Sequence, residues 1–324
     1  MPEASPRDSS GRPEIVVLGP QRPALLEALE RRFVCHRVYE APDPIAALRA
    51  LAPRRIRGAA SNAMAGLSRA QIEALPDLEI CANNGVGLET TDLALCRERG
   101  IVVTITPVLY DDVADLGIAL ALAACRRIAE GDRYVRSGRW LQARMGLGRK
   151  LTGMRVGILG LGRIGIEVAR RLEGFRTEIA YVDPVPRDVP YRRVEGGAVE
   201  LARWADLLFL CAAGGPKGTS PPIVTAEVLD ALGPRGILVN IARGWLVDEP
   251  ALVEALRGGR LGGAGLDVFY DEPRVPEALL GLDNVVLTPH VASSTEETMG
   301  AMGECVVANL VAWFEGRGAL TPAQ

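Results

Sequence analysis

The chain has 324 residues, more than a single domain usually holds, so its length alone predicts about two domains. Its composition, 48% hydrophobic and 24% charged, is that of a folded globular protein and excludes a disordered chain. With 37 basic against 40 acidic residues the formal net charge is -3, which gives no overall field for nucleic acid or an anionic membrane surface.

Residues 1–13 are polar and rich in proline and serine, without the apolar core of a secretory signal, and a disordered tail is expected over residues 1–12. Apolar runs of strand length then alternate with amphipathic stretches of helix length, the pattern of βαβ units around a parallel sheet. A first series takes strands at 14–18, 58–61, 79–82 and 101–105, with helices at 24–32, 68–78 and 91–99. Next comes a helix over 112–136, where Val113, Leu116, Leu120, Ala123 and Ala124 recur at helical spacing. Apolar residues also fill its opposite face at 117–125, so it must be buried on more than one side. That apolar run is too short beside the ~20 residues that span a bilayer.

A second series takes strands at 155–159, 178–182, 207–210, 237–241, 264–268 and 284–287, and six strands with helices between them make a complete doubly wound parallel sheet. The chain closes on a helix whose Met299, Met302, Val306, Leu310 and Phe314 form one apolar stripe, predicted to pack back on one domain. Six cysteines, Cys35, Cys81, Cys96, Cys125, Cys211 and Cys305, show no metal-ligand spacing. Reduced thiols in a cytoplasmic protein and no metal site are therefore expected.

Gly160-Leu161-Gly162-Arg163-Ile164-Gly165 follows one predicted strand and opens a helix, the context that gives this glycine pattern its meaning. The first glycine permits the tight turn, the second lets backbone approach a pyrophosphate, and the third lets helix pack on strand. The helix N-terminus is left to hold phosphate charge. Asp183 ends the next strand 18 residues beyond Gly165, close to the ~20 expected of a carboxylate on the ribose hydroxyls. NAD is thus the expected cofactor, while Arg187, Arg192 and Arg193 keep NADP open through a 2′-phosphate contact.

Reducing a carbonyl by hydride transfer needs a proton donor for the developing alkoxide and a cation for the substrate carboxylate. The chain has only two histidines, His36 in an early charged stretch and His290 just past the strand at 284–287. Arg243 and Glu272 also lie just past predicted strands, so three suitable groups end three strands of one sheet, where open α/β sheets keep their sites. An arginine offers a fork for a carboxylate, and a glutamate beside a histidine raises its pKa and fixes its tautomer.

The ordered set Gly85-Val86-Gly87, Thr106-Pro107, Asp111-Asp112-Val113-Ala114-Asp115, Ser137-Gly138-Arg139-Trp140, the glycine loop, Asn240-Ile241-Ala242-Arg243-Gly244, Gly265-Leu266-Asp267-Val268-Phe269 with Asp271-Glu272-Pro273, and Thr288-Pro289-His290 resembles the D-isomer-specific 2-hydroxyacid dehydrogenases. The resemblance implies that Arg243 binds a keto acid, Glu272 bonds the imidazole and His290 donates the proton. It further implies that Val86 and Gly87 offer amides to the substrate carboxylate, and that Arg163, Ile164, Asp183, Ala213, Ile241 and Asp267 line the cofactor beside Gly160, Gly162 and Gly165. The implied fold is α/β with two doubly wound parallel-sheet domains. A Rossmann dinucleotide-binding domain over 108–291 is inserted in a flavodoxin-like substrate domain made of 13–107 and 292–324. A homodimer is also implied, with the helix at 112–136 in its contact.

Trp140 and the segment Cys211-Ala212-Ala213-Gly214-Gly215-Pro216 look like the glyoxylate/hydroxypyruvate reductase branch, which places Trp140 among the substrate contacts. Members of that branch often prefer NADPH, and Asp183 departs from that preference toward NAD. Two alternatives stay open: a reductase of bulkier or aromatic 2-keto acids, and a nucleotide-sensing binding module of the same fold.

Overall fold

The computed structural model describes residues 11–323, which divide into one unit that runs to Leu109 and resumes at Thr295, and a second, Tyr110–Ser294. Most of the tail expected at 1–12 lies outside the described residues; Gly11 and Arg12 lead into the first strand.

The first unit runs β1 (Glu14–Val17), α1 (Pro23–Glu30), β2 (Val34–Arg37), α2 (Pro44–Leu51), β3 (Gly58–Asn62), α3 (Arg69–Ala74), β4 (Ile80–Asn84), α4 (Leu93–Glu98) and β5 (Val102–Thr104). Its sheet is parallel throughout in the order β2-β1-β3-β4-β5, the flavodoxin-like arrangement with its strand-order reversal between β1 and β3. Alternate residues face opposite ways. Val16, Ala59, Cys81 and Val103 meet Leu48, Ile72 and Leu95 from α2, α3 and α4, while Ile15, Ala60, Ile80 and Ala82 meet Leu25 and Leu29 of α1.

Two elements here are absent from the sequence reading. β2 is an edge strand with partly exposed residues and shows no apolar run. α2 carries its signals in a few residues: Asp43 accepts a hydrogen bond from Ala46 N at 3.0 Å, and Pro44 opens the helix.

The second unit runs α5 (Tyr110–Arg126), α6 (Ile128–Arg136), β6 (Arg155–Leu159), α7 (Arg163–Glu173), β7 (Glu178–Val182), β8 (Arg192–Arg193), α8 (Gly197–Trp204), β9 (Leu207–Leu210), α9 (Ala226–Leu232), β10 (Ile237–Asn240), α10 (Glu249–Arg257), β11 (Gly263–Leu266), α11 (Glu277–Leu280) and β12 (Val285–Leu287). These strands form one parallel sheet in the order β12-β11-β10-β9-β6-β7-β8. The chain leaves β6 toward β7 on one side and later returns as β9 on the other, which opens a crevice past the carboxyl ends of β6 and β9. The two-residue β8 extends the expected six strands to seven and is too short to be read from a pattern.

The single helix expected over 112–136 is two. Arg127 takes a left-handed φ of 54° between α5 and α6, and its guanidinium turns back onto the buried Glu130 at 2.5 and 2.8 Å. That bidentate pair holds a conformation which costs an L-residue roughly 1–2 kcal/mol. α5 is buried through Val113, Ala114, Gly117, Leu120, Ala121 and Cys125, as its two-sided apolar pattern requires. Beyond the break, Ile128, Val135, Trp140, Leu141 and Leu147 are exposed.

After β12 the chain re-enters the first unit as α12 (Glu296–Phe314), capped by Thr295 through Thr298 N at 3.1 Å. Its Val306 and Leu310 complete the α1 face of the five-stranded sheet. Among the described residues no helix is long and apolar enough to cross a membrane, and no cluster of side chains could hold a metal ion.

Candidate active site

The glycine loop between β6 and α7 is built as a cradle. Gly160 adopts φ 88°, and a Cβ there would lie 2.4 Å from Ala212 Cα, while a Cβ on Gly165 would lie 2.3 Å from the Gly160 carbonyl oxygen. Only glycine fits either place. A Cβ on Gly162 would meet nothing within 4 Å, so the backbone there stands open at the uncapped N-terminus of α7. Open backbone before an uncapped helix start suits an anionic pyrophosphate.

Asp183, just past β7, is buried and braces this cradle: its Oδ2 accepts from Leu161 N at 2.8 Å, and its Oδ1 accepts from Val185 N at 2.9 Å. Arg187 also donates to Oδ1 at 3.3 Å, and Arg193 donates to the Asp183 carbonyl at 3.2 Å. Arg192 instead stacks on Trp204 at 4.7 Å. The residues present therefore fit a dinucleotide, with a carboxylate where ribose hydroxyls are bound and two guanidinium groups beside it.

Three strands further along the same sheet, the loops after β10, β11 and β12 bring Arg243, Glu272 and His290 together. Glu272 Oε2 lies 2.7 Å from His290 Nδ1, and its Oε1 accepts from Phe269 N at 3.0 Å. Burial pushes the Glu272 carboxyl up, yet the hydrogen bonds from His290 and Phe269 and the charges of His290 and Arg243 outweigh it and hold the group below its usual value. The hydrogen bond to Glu272 raises the His290 pKa against the opposing effects of burial and Arg243. With Nδ1 committed to Glu272, the donor left for chemistry is Nε2 of a half-exposed ring.

Arg243 reaches this pair because backbone meets backbone: a Cβ on Gly244 would stand 1.9 Å from the Phe269 carbonyl carbon. Asn240 fixes the turn between them, accepting from Ala242 N and donating to the Arg243 carbonyl, both at 3.0 Å.

Of the other expected site residues, Ile164 lies in the first turn of α7 and the exposed Ala213 in the loop after β9, on either side of the crevice, and Ile241 is buried after β10. Asp267 is fully enclosed. Its Oδ1 accepts from Thr288 Oγ1 at 2.6 Å and Val291 N at 2.9 Å, and its Oδ2 from Ala292 N at 3.0 Å, so its carboxylate anchors the His290 loop. An acid inside the apolar run of β11 and its extension signals such a partner set.

Trp140 is 67% exposed on a short turn after α6. Val86 and Gly87 belong to the first unit, in the loop after β4, where Asn83 Nδ2 donates to the Gly85 and Gly87 carbonyls at 3.3 and 3.1 Å. His36 sits on β2 with Nε2 at 2.7 Å from Glu14 Oε2, a structural pair.

Tyr110 carries no motif that marks it in the sequence. Its hydroxyl accepts from Arg163 Nη1 at 2.6 Å and its ring lies under the same guanidinium. Cysteine chemistry is disfavoured, since burial pushes Cys35, Cys81 and Cys211 up to about 12 and Cys96 and Cys125 to about 11.

Residues 118–292 match the family model described as D-isomer specific 2-hydroxyacid dehydrogenase, NAD binding domain. The chain is 48% identical to a hydroxyphenylpyruvate reductase of Plectranthus scutellarioides, over 95% of this chain and 98% of that one. It is 46% identical to a glyoxylate/hydroxypyruvate reductase of Arabidopsis thaliana over the same shares. Among solved structures, a 2-hydroxyacid dehydrogenase from Ketogulonicigenium vulgare superposes with a TM-score of 0.90 at 47% identity, covering 97% of this chain and 98% of that chain.

The Asp267 anchor is open to a direct test. In Asp267→Asn the side chain keeps its shape, but its NH2 takes the place of one acceptor oxygen and faces a backbone N–H it cannot accept from. A loss of about 1–3 kcal/mol is expected in urea unfolding. An unfolding midpoint equal to that of the parent chain would show that these hydrogen bonds do not hold the loop.

Proposed function

The chain belongs to the D-isomer-specific 2-hydroxyacid dehydrogenase family, and we propose that Arg243, Glu272 and His290 are its catalytic residues in reducing a small 2-keto acid, glyoxylate or hydroxypyruvate. As a member it is an oxidoreductase that uses a nicotinamide dinucleotide, NAD or NADP. The observation that carries the assignment is the 2.7 Å contact from His290 Nδ1 to Glu272, which orients Nε2 and favours the imidazolium.

Nicotinamide, when bound, supplies the hydride. The protein's part is to place the keto acid and deliver a proton. The Arg243 guanidinium pairs with the carboxylate and draws charge toward the carbonyl oxygen. His290 Nε2–H then passes its proton to that oxygen as the hydroxy acid forms, and the imidazole left behind stays fixed in one tautomer by Glu272. Running the reaction toward the keto acid uses the neutral imidazole as base.

In this reading the second unit is the dinucleotide domain. Gly160, Gly162 and Gly165 shape the pyrophosphate cradle, Arg163, Ile164, Ala213, Ile241 and Asp267 surround the cofactor, and Asp183 accepts from the ribose. NAD is favoured, since a 2′-phosphate would bring a second anion against the Asp183 carboxylate. Arg187 and Arg193 temper that preference. The first unit is the substrate domain, with Val86 and Gly87 on the keto-acid carboxylate, and Trp140 faces substrate. The exposed apolar side chains Ile128, Val135, Leu141 and Leu147 suit a homodimer contact. Six free cysteines suit a reducing cytoplasm.

The test is oxidation of NADH and of NADPH by the purified protein with glyoxylate and with hydroxypyruvate. Turnover is expected with both acids and faster with NADH; no turnover with either, alongside measurable cofactor binding, rejects the proposal. The pH dependence carries a second expectation. Because the His290 pKa is raised, the protonated donor persists above the ordinary value of about 6.5, and reduction falls as pH rises through the raised value. Glu272→Gln should keep cofactor binding and move that fall in kcat/KM to lower pH. An unmoved profile would remove Glu272 from its role.

A further inference from the structure

The start of α7 breaks a rule of helix electrostatics. Its N-cap, Gly162, has no side chain to cap it, no acidic residue lies in the first turn, and Arg163 is the first helical residue. A guanidinium there meets the positive end of the helix dipole, which disfavours a cation and favours an anion. Local conflicts of this kind gather at functional sites, where a ligand resolves them.

The partner that holds Arg163 is a neutral one. Tyr110 opens α5 and belongs to the same unit; its hydroxyl accepts from Arg163 Nη1 at 2.6 Å, and its ring centroid lies 5.4 Å from the guanidinium carbon. Among the described residues Arg163 pairs with no carboxylate, although acids are near in both helices. Asp111, beside Tyr110, gives its carboxylate to Arg171 at 2.8 Å, and Asp115 turns to Arg171 as well. Glu167 is shared between Arg170 and Arg171. Arg170 and Arg171 are thus neutralised by acids, and Arg163 is not.

A phenol oxygen suits this task. It orients the planar fork without bringing the full negative charge of a carboxylate, and it takes one of the five N–H donors that a guanidinium offers. The contact also leaves the group open to a ligand. Arg163 is exposed, and a cavity of about 280 Å³ lies beside it, lined by Tyr110, Asp111, Arg163, Ile166, Glu167 and Arg170.

We propose that Tyr110 is a positioning residue for the cofactor, presenting the Arg163 guanidinium to the dinucleotide pyrophosphate at the start of α7. The inference rests on the dinucleotide reading of the glycine loop and deepens it. An arginine side chain has large rotamer freedom, and a guanidinium already oriented loses less of it when the phosphate arrives. Tyr110 therefore acts on affinity through Arg163 and needs no contact of its own with the ligand.

The test is calorimetric binding of ADP-ribose, which carries the pyrophosphate, and of adenosine, which carries no phosphate. Tyr110→Phe keeps the ring and removes the hydroxyl. It should weaken ADP-ribose binding about 3- to 10-fold, the worth of one hydrogen bond, and leave adenosine binding as in the parent chain. Arg163→Ala should cost ADP-ribose at least as much. Adding Tyr110→Phe to Arg163→Ala should then change nothing more, because the tyrosine works through the arginine. NADH should lose affinity together with ADP-ribose in each variant.

ADP-ribose affinity in Tyr110→Phe equal to or above that of the parent chain, or a matching loss for adenosine, would overturn the positioning role and leave the dinucleotide site standing. A further loss on top of Arg163→Ala would do the same. A parent chain that binds neither ADP-ribose nor NADH would instead overturn the dinucleotide reading, and the positioning role with it.

Discussion

One enclosed carboxylate sets the position of the His290 imidazole. Asp267 follows β11 and reaches the chain that follows β12, where its side chain accepts from Thr288, Val291 and Ala292 and its carbonyl accepts from His290 N at 2.8 Å. Those bonds hold His290 at φ 52°, in the left-handed region that costs an ordinary residue roughly 1–2 kcal/mol. The pairing of Leu266 with Leu287 puts anchor and loop in register. The place of the imidazole is therefore fixed by the sheet, and Glu272 then decides which nitrogen faces outward and how tightly the proton is held.

The same economy of means recurs at the cofactor end. Asp183 braces the glycine loop through Leu161 N, so the carboxylate proposed for the ribose hydroxyls also holds the backbone proposed for the pyrophosphate. Arg187 and Arg193 sit against it and soften its charge. In both places a buried acid accepts hydrogen bonds from backbone amides. Meanwhile burial keeps the thiols of Cys35, Cys81, Cys96, Cys125 and Cys211 protonated at neutral pH, which leaves the coupled His290 and Glu272 as the proton-holding pair described above.

What the sequence made legible follows from what is local. The central strands of both sheets read as apolar runs, the glycine loop lies within six residues, and Arg243, Glu272 and His290 each sit past the end of a strand. What it hid depends on contacts between distant residues or on very short segments. β2 and β8 are edge pieces without a run to read, and the break at Arg127 needs a salt bridge that periodicity does not report. Asp267 could be named from its motif, but its enclosure by the loop after β12 appears only in three dimensions. The pairing of Tyr110 with Arg163 joins residues 53 apart in the chain and has no sequence signature at all.

The central claim is that His290 carries a proton held in place by Glu272, and the chain's composition makes that unusually accessible. With only His36 and His290 present, an NMR pH titration of the imidazole nitrogens resolves each ring. The account predicts that His290 titrates above the ordinary value of about 6.5 with its Nδ1 proton engaged in a hydrogen bond. A His290 that titrates at or below that value, or whose neutral form carries its proton on Nε2 without a bonded Nδ1, would contradict it.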